Sequence, residues 1–140
     1  MKSKQCLDVQ QMQHLQELGI RMELYTTLFC YVKFEDTDWL LKPISDLSII
    51  GISFYAIPAY TLQDVLDALP KNIYREYIGW TKLEIQAYSE AKYVVGYRYI
   101  DTCDKYIVYR DGEELIDAAY SMLCWAIENG YVETNKTSEL

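Results

Sequence analysis

Residues 81–100 read TKLEIQAYSEAKYVVGYRYI, and this stretch decides the fold. Two runs that alternate apolar and polar residues, 81–88 and 92–100, flank a short polar loop, as expected of a β-hairpin with one buried face. A slip of one residue would bring Tyr97 among the charged side chains, so the pattern specifies the register. The predicted cross-strand pairs are Ala87 with Tyr93, Ile85 with Val95, and Leu83 with Tyr97.

Further strands are predicted on both sides of this hairpin. Residues 105–110 continue the sheet after it. Before it, the even positions from 24 to 34 are mostly apolar, and residues 48–56 alternate in the same way. Pro58 is expected to end that last strand. Together these runs predict an antiparallel sheet of about five strands.

Two of three predicted helices lie before the hairpin. The first covers residues 8–18, where Asp8 and Gln11 have the spacing of a capping box. The second covers residues 61–69, is stopped by Pro70 and serves as a connection. The fold class is therefore α+β, with the N-terminal and C-terminal helices packed on one face of the sheet.

The C-terminal helix has the strongest helical pattern in the chain. It is predicted to begin in a capping box at residues 111–114 and to end before Gly130. At 100° per residue its apolar arc is about 220° wide, with Tyr120 at one edge and Trp125 at the other. A helix on the outside of a domain needs only about 100°. This helix is therefore either enclosed between layers or covered by a partner.

Length and composition limit the class of protein. The 140 residues argue for a single domain, predicted over 1–133 with a polar, frayed tail over 134–140. The hydrophobic fraction of 51% excludes a disordered chain. Thirteen basic and 21 acidic residues give a net charge of -8, which argues against direct nucleic-acid binding.

The absence of targeting signals predicts a cytoplasmic protein. The first residues lack the apolar core of a secretory signal, and no apolar run approaches the ~20 residues of a membrane-spanning helix. Without export, the four cysteines are expected to be reduced thiols. No membrane association is expected.

No grouping of residues predicts catalysis, metal binding or a cofactor. His14 is the sole histidine and falls on the polar side of the first helix, where solvation is the simplest interpretation. The acidic turn that begins at Glu35 lacks the glycine and the final glutamate of a calcium loop. Cys103 lies between Asp101 and Asp104, whose charges disfavour a thiolate. We expect a protein that is not an enzyme.

Tyrosine is unusually frequent, with 14 residues concentrated on the predicted strands. Aromatic ladders that stabilise the sheet explain most of them. The functional alternative is an amphipathic binding face, because tyrosine is enriched at protein interfaces. The candidate contact residues are Tyr93, Tyr97, Tyr99, Tyr120 and Trp125.

Three segments carry a family resemblance. They are CLDVQQMQHLQELG (6–19), PAYTLQDVLDALPK (58–71) and LIDAAYSMLCWAIENGY (115–131). Together they resemble a family of small uncharacterised proteins encoded in prophages and mobile elements of gut anaerobic bacteria. The resemblance implies a mobile-element context and carries no activity or catalytic residue.

The leading hypothesis is a non-enzymatic accessory protein of a phage or mobile element. It would act by binding an unidentified protein partner and by self-association as a homo-oligomer. One alternative is an acidic decoy that mimics DNA and occupies a host nuclease, which the net charge of -8 allows. Another is a small-ligand-binding domain with a pocket between sheet and helices.

Overall fold

The structure is a computed structural model that describes residues 4–21, 23–49, 54–89, 92–100 and 105–135. Within these ranges the chain forms a mixed α+β fold with two antiparallel sheets. The helices are α1 (Val9–Glu17), α2 (Leu62–Ala68) and α3 (Leu115–Glu128). The strands are β1 (Phe29–Lys33), β2 (Leu40–Pro43), β3 (Tyr55–Ala59), β4 (Asn72–Arg75), β5 (Gly79–Ser89), β6 (Lys92–Tyr99) and β7 (Tyr106–Gly112).

The prediction of one sheet with about five strands is wrong in its arrangement. The strands form a three-stranded sheet of order β2-β1-β3 and a four-stranded sheet of order β4-β5-β6-β7. Two four-residue strands, β2 and β4, were not predicted, because so few residues give little period-two signal. Along the chain, α2 lies between β3, the last strand of the first sheet, and β4, the first strand of the second.

The central hairpin has the predicted register. β5 and β6 pair Ala87 with Tyr93, Ile85 with Val95 and Leu83 with Tyr97. β7 then pairs with β6, which confirms the third strand of this meander. The predicted loop includes residues 90–91, which lie outside the described residues.

The strand predictions before the hairpin were less accurate. The segment before β1 forms a 3-10 turn at Leu24–Thr26, and a second 3-10 helix, Ile44–Ile49, covers the start of the strand predicted over 48–56. The next residues, 50–53, lie outside the described part of the chain. Pro58 lies within β3, opposite Cys30, and does not end the strand. Proline is tolerated there because β3 is an edge strand of its sheet.

The first two helices both begin in capping boxes, as predicted for α1. The Asp8 carboxylate accepts a hydrogen bond from the backbone N–H of Gln11, and the Gln11 side chain accepts one from the Asp8 N–H. Thr61 and Asp64 form the same capping box on α2. α1 lies against β3 and α2 against α3, and among the described helices α3 makes the main contacts with the four-stranded sheet. The predicted packing of both terminal helices on one sheet face is therefore wrong.

α3 begins later than predicted. Asp111 and Gly112 belong to β7, and Glu114 occupies the N-cap position without a side-chain hydrogen bond. Its C-terminus agrees with the prediction, since Gly130 has a φ of +80°. The N–H groups of Gly130 and Tyr131 donate to the carbonyls of Ile127 and Ala126, which is a Schellman ending.

The wide apolar arc of α3 is enclosed by the chain itself. β6 and β7 lie on one side of the helix and α2 on another. Cys124 is also only 9% exposed, so α3 is covered over most of its circumference. α3 therefore forms the centre of the main hydrophobic core, and a smaller cluster of Cys30, Val32 and Leu47 lies under the three-stranded sheet.

The predicted boundary of the tail is too early. Thr134 is buried, and the N–H of Asn135 donates to the carbonyl of Gly19 at 2.8 Å. Residues 136–140 lie outside the described chain.

Among the described helices, none has both the length and the apolar character to cross a membrane.

Candidate functional site on the outer face of the four-stranded sheet

The four-stranded sheet has an inner face against α3 and an outer face on the opposite side. Thr81, Tyr97 and Val95 are fully buried on the inner face, and Leu83 shares it. Because side chains alternate along a strand, the even positions of β5, starting with Trp80, belong to the outer face. This outer face carries the features described below.

The strand tyrosines predicted as contact residues lie on the inner face. Tyr97 is 0% exposed, and its hydroxyl donates to the Pro70 carbonyl at 2.7 Å. Tyr93 and Tyr99 share this side of β6 by alternation and are half-buried. Tyr97 is therefore inaccessible to a binding partner, and its side chain packs in the core. Burial also raises its pKa above the usual tyrosine range.

The two candidate residues on α3 also pack within the chain. Trp125 lies between Tyr97 and Tyr131, with ring centroids 6.3 and 5.5 Å away. Tyr120 lies edge-on to His14 at 6.5 Å. Burial, together with a hydrogen bond to Cys124, raises the Tyr120 pKa. Both side chains keep some exposure but belong mainly to the covering of the core.

Five large apolar side chains are exposed around the β4–β5 turn. They form the hairpin patch, defined as Tyr74 (54% exposed), Tyr77 (97%), Ile78 (42%), Trp80 (56%) and Ile100 (49%). Tyr74 pairs directly with Trp80 across the strands, with ring centroids 5.3 Å apart. The Ile100 N–H donates to the Trp80 carbonyl, which places Ile100 beside them.

The turn that carries this patch has an unusual backbone. The Ile78 N–H donates to the Arg75 carbonyl at 3.0 Å and closes a tight turn. Tyr77, at its third position, has a φ of +68°. Glycine or asparagine usually occupies such a position, because a Cβ is strained there. A bulky, exposed aromatic residue is therefore held in a disfavoured conformation.

A charged cluster separates the patch from the rest of the outer face. The Arg98 guanidinium donates to Glu84 at 2.9 Å, and the Lys82 ammonium lies 3.9 Å from the same carboxylate. Two cations thus share one anion, so this part of the face is locally positive on a chain of net charge -8.

A groove of about 360 Å³ lies on the outer face over β6 and β7. It is lined by Lys92, Val94, Tyr106, Tyr109 and Asp111. We call it the β6–β7 groove. The centroids of its two tyrosine rings are 6.0 Å apart. Both tyrosines cover Gly96, where an added Cβ would come within 2.7 Å of the Tyr106 ring.

A second cavity of about 370 Å³ lies near the end of α1, and Arg21, Tyr60 and Glu133 contribute its polar groups. Burial, and secondarily the charge of Asp64, raises the Tyr60 pKa, so this phenol is protonated at neutral pH. The Arg21 Nε donates to Asn135. Thr134 supplies a further polar group to the lining of this cavity.

The described cysteines are buried thiols. Cys6, Cys30 and Cys124 are free and covered. Burial, reinforced by the Asp64 charge, raises the Cys6 pKa to about 11. Cys103 and its acidic neighbours lie outside the described residues. Over the part of the chain that the structure describes, no group of three or more potential ligands converges on a metal position.

His14 lies on the exposed side of α1, as predicted from the sequence. Its side chain is 46% exposed, and its Nδ1 lies 3.8 Å from the Glu17 carboxylate. One face of the ring meets Tyr120, so the imidazole contributes to packing while remaining accessible to water.

Comparisons of the chain with family models, with curated proteins and with solved structures found no match.

Proposed function

We propose that this chain is a non-enzymatic protein-binding module that docks a partner through the outer face of its four-stranded sheet. The hairpin patch is the observation that carries this proposal. Its five side chains are all more than 40% exposed; four belong to the β4–β5 hairpin, and Ile100 lies beside Trp80. Folded monomers rarely expose large contiguous apolar patches unless another molecule covers them. Tryptophan and tyrosine are also the residues that most often dominate binding energy.

The strained turn supports the same interpretation. An L-residue in the left-handed conformation costs about 1 kcal/mol. Tyr77 exposes 97% of its surface, so its ring regains little of that cost by packing on the chain. Backbone strain of this kind clusters at functional sites. A tyrosine at this position is explained if its ring contacts a partner, because that contact would offset the backbone strain.

The partner we propose is a different protein with basic character. Two copies of a chain with net charge -8 repel each other, whereas a basic partner is attracted at long range by the same field, although the cluster of Lys82, Glu84 and Arg98 carries one excess positive charge. Self-association is a weaker proposal, because the wide arc of α3, which suggested it, is covered within the chain. The family resemblance supplies the proposed setting, an accessory protein of a phage or mobile element in the cytoplasm.

The two alternatives have less support. A DNA-mimicking decoy needs carboxylates that stay uncompensated, yet Asp8, Glu84, Asp111 and Asp117 all lie within 4 Å of a lysine or arginine nitrogen. A small-ligand-binding domain would be favoured by a deep pocket with converging polar groups of shifted pKa. The cavity beside Tyr60 offers one protonated phenol together with the charges of Arg21 and Glu133.

Affinity capture from the cells that encode this chain tests the proposal. The bait is the full chain, compared with the double variant Tyr74→Ser and Trp80→Ser. A protein bound through the patch should be captured by the unaltered chain and lose about thirtyfold in affinity for the variant, as for a hot-spot residue. The affinity is then measured with the purified partner by calorimetry.

The matched control is Tyr25→Ser with Tyr55→Ser, two tyrosines that are 77% and 74% exposed away from the four-stranded sheet. This control should bind like the unaltered chain. Tyr77→Asn should raise the melting temperature and weaken binding, since it relieves strain and removes a contact. If the patch variant captures the same protein with unchanged affinity, or if nothing is captured above an empty bait, the proposal is wrong.

A further inference from the structure

The β6–β7 groove combines two kinds of group that attract organic cations. The rings of Tyr106 and Tyr109 are tilted by 59° to each other and present aromatic surface. The carboxylate of Asp111 lies at the same groove, and the nearly buried Val94 supplies an apolar surface. Aromatic faces attract cations through their quadrupole, and a carboxylate attracts them through its charge.

The chain places its own cation in this groove. The Lys92 Nζ lies 2.9 Å from Asp111 Oδ2. The hydrogen bond to Asp111 and the charge of that carboxylate raise the Lys92 pKa, and the nearby Tyr109 adds to the effect. The Lys92 side chain is 54% exposed, so the lysine can swing into solvent and leave the carboxylate to another cation. Lys92 therefore marks the position and the chemistry of the ligand.

We propose that the β6–β7 groove receives an arginine or lysine side chain of a basic partner protein, which displaces Lys92 from Asp111. The volume of about 360 Å³ is enough for one such side chain and part of its backbone. The net charge of -8 favours a cation carried by a basic polypeptide over a neutral group of the same shape. The proposal deepens the proposed function by naming the partner chemistry, and it rests on that function only in taking the partner to be a protein.

The test uses a defined probe and needs no identified partner. The blocked peptide acetyl-Gly-Arg-Gly-amide is titrated into the ¹⁵N-labelled full chain and followed by NMR. The control is the same peptide with neutral citrulline in place of arginine, which has almost the same shape. We expect shifts centred on the amides of Val94, Gly96 and Asp111, and about tenfold weaker binding of the citrulline peptide.

Variants distinguish binding in this groove from nonspecific attraction of the cationic peptide to an acidic protein. Lys92→Met should strengthen arginine binding about threefold, because it removes the internal competitor. Lys82→Met changes the net charge equally, on the same sheet face, and should strengthen binding less. Tyr109→Leu should weaken binding by a factor of about 2 to 30, the range of one cation–π contact. Tyr55→Leu is its control and should have no effect.

Three results would overturn the proposal. They are equal affinity for the arginine and citrulline peptides, shifts located away from β6 and β7, or equal strengthening by Lys92→Met and Lys82→Met. None of these results bears on the hairpin patch, whose test depends on Tyr74 and Trp80. Conversely, capture of the same protein by the patch variant with unchanged affinity would overturn the proposed function and leave the peptide titration unaffected, so the two proposals fail separately.

Discussion

Gly96 is the residue whose missing side chain shapes the outer face. An added Cβ would lie 2.7 Å from the Tyr106 ring and 2.7 Å from the backbone oxygen of Val108. The ring can move, but the backbone oxygen of the neighbouring strand cannot do so without disturbing the ladder. A glycine in mid-strand is thus required by the close approach of β7 and its two tyrosines.

We predict that Gly96→Ala lowers the free energy of unfolding by about 1–3 kcal/mol, as expected for overpacking. Urea denaturation measures the change. Gly112→Ala is the control, because its nearest contact would be 3.4 Å and the effect should be small. If Gly96→Ala and Gly112→Ala are both as stable as the unaltered chain, Gly96 has no packing role.

Single residues also show why the sequence did not predict the site. The first three even positions of β5 after Trp80 are Lys82, Glu84 and Gln86, so the alternation indicates a polar, solvated side. Trp80 falls one residue before the predicted strand, and Tyr74 lies in a strand that was not predicted. If the predicted strand is extended back to Gly79, Trp80 falls on its polar face. A large aromatic residue at a solvent-facing strand position is the indication of this site that the sequence contains.

At the scale of elements, a polar cluster joins the N-terminal segment and α1 to α3. The Lys4 ammonium donates to Asp117 at 2.9 Å and to the Gln11 side-chain oxygen at 2.7 Å. The Gln11 amide donates to the same Asp117 oxygen at 2.9 Å. Burial alone would raise the Asp117 pKa, but the hydrogen bonds from Gln11 and Lys4 lower it overall.

We predict that Asp117→Ala destabilises the protein by about 1 kcal/mol, a value reduced by the partial exposure of the carboxylate. In this variant, amide hydrogen exchange should accelerate more in α1 than in β5. Because folding lowers the Asp117 pKa, this contribution is present above the ordinary aspartate value of 3.8 and is lost as pH falls through the lower folded value. The difference between Asp117→Ala and the unaltered chain should therefore shrink in acid.

Glu128→Ala is the control on the same helix. Glu128 is exposed in the last turn, where a negative charge opposes the helix dipole, so its removal should not destabilise α3. A loss of stability equal to that of Asp117→Ala would contradict the role assigned to the cluster.

The elements predicted correctly are those with a complete local signal. The β5–β6 hairpin has alternation on both strands, and α1 and α2 have reciprocal caps. The 3-10 helix over Ile44–Ile49 was not predicted, because residues 48–56 alternate as a strand does. The cap predicted at residues 111–114 was wrong because β7 extends to Gly112, and pairing with Tyr93 takes precedence over helix initiation. Tertiary pairing overrides local preference in these cases.

At the scale of the whole molecule, buried acids that ionise at high pH limit stability in alkali. Burial raises the pKa values of Cys6, Tyr60, Tyr97 and Tyr120. For such groups the stabilisation is present below the unfolded pKa and is lost as pH rises through the folded pKa. For Cys6 this window runs from the ordinary thiol pKa of 9.0 to about 11.

We predict that the urea midpoint is constant near neutral pH and falls steadily above about pH 9. In the same titration, the absorbance of tyrosinate should rise in two stages, first from tyrosines outside the core and then cooperatively as the core opens. A single early rise of all the tyrosines, with stability unchanged, would contradict the burial described for Tyr97.

The polar cluster at Asp117 has a further consequence for the order in which the chain assembles during synthesis. β4 to β7 are consecutive in sequence and pair with their immediate neighbours, so this meander has low contact order and can form as soon as it leaves the ribosome. Lys4 and Leu7 precede their partners Asp117 and Tyr60 by 113 and 53 residues. The contact of Lys4 with α3 therefore cannot form until Asp117 has been synthesised, which is after the meander.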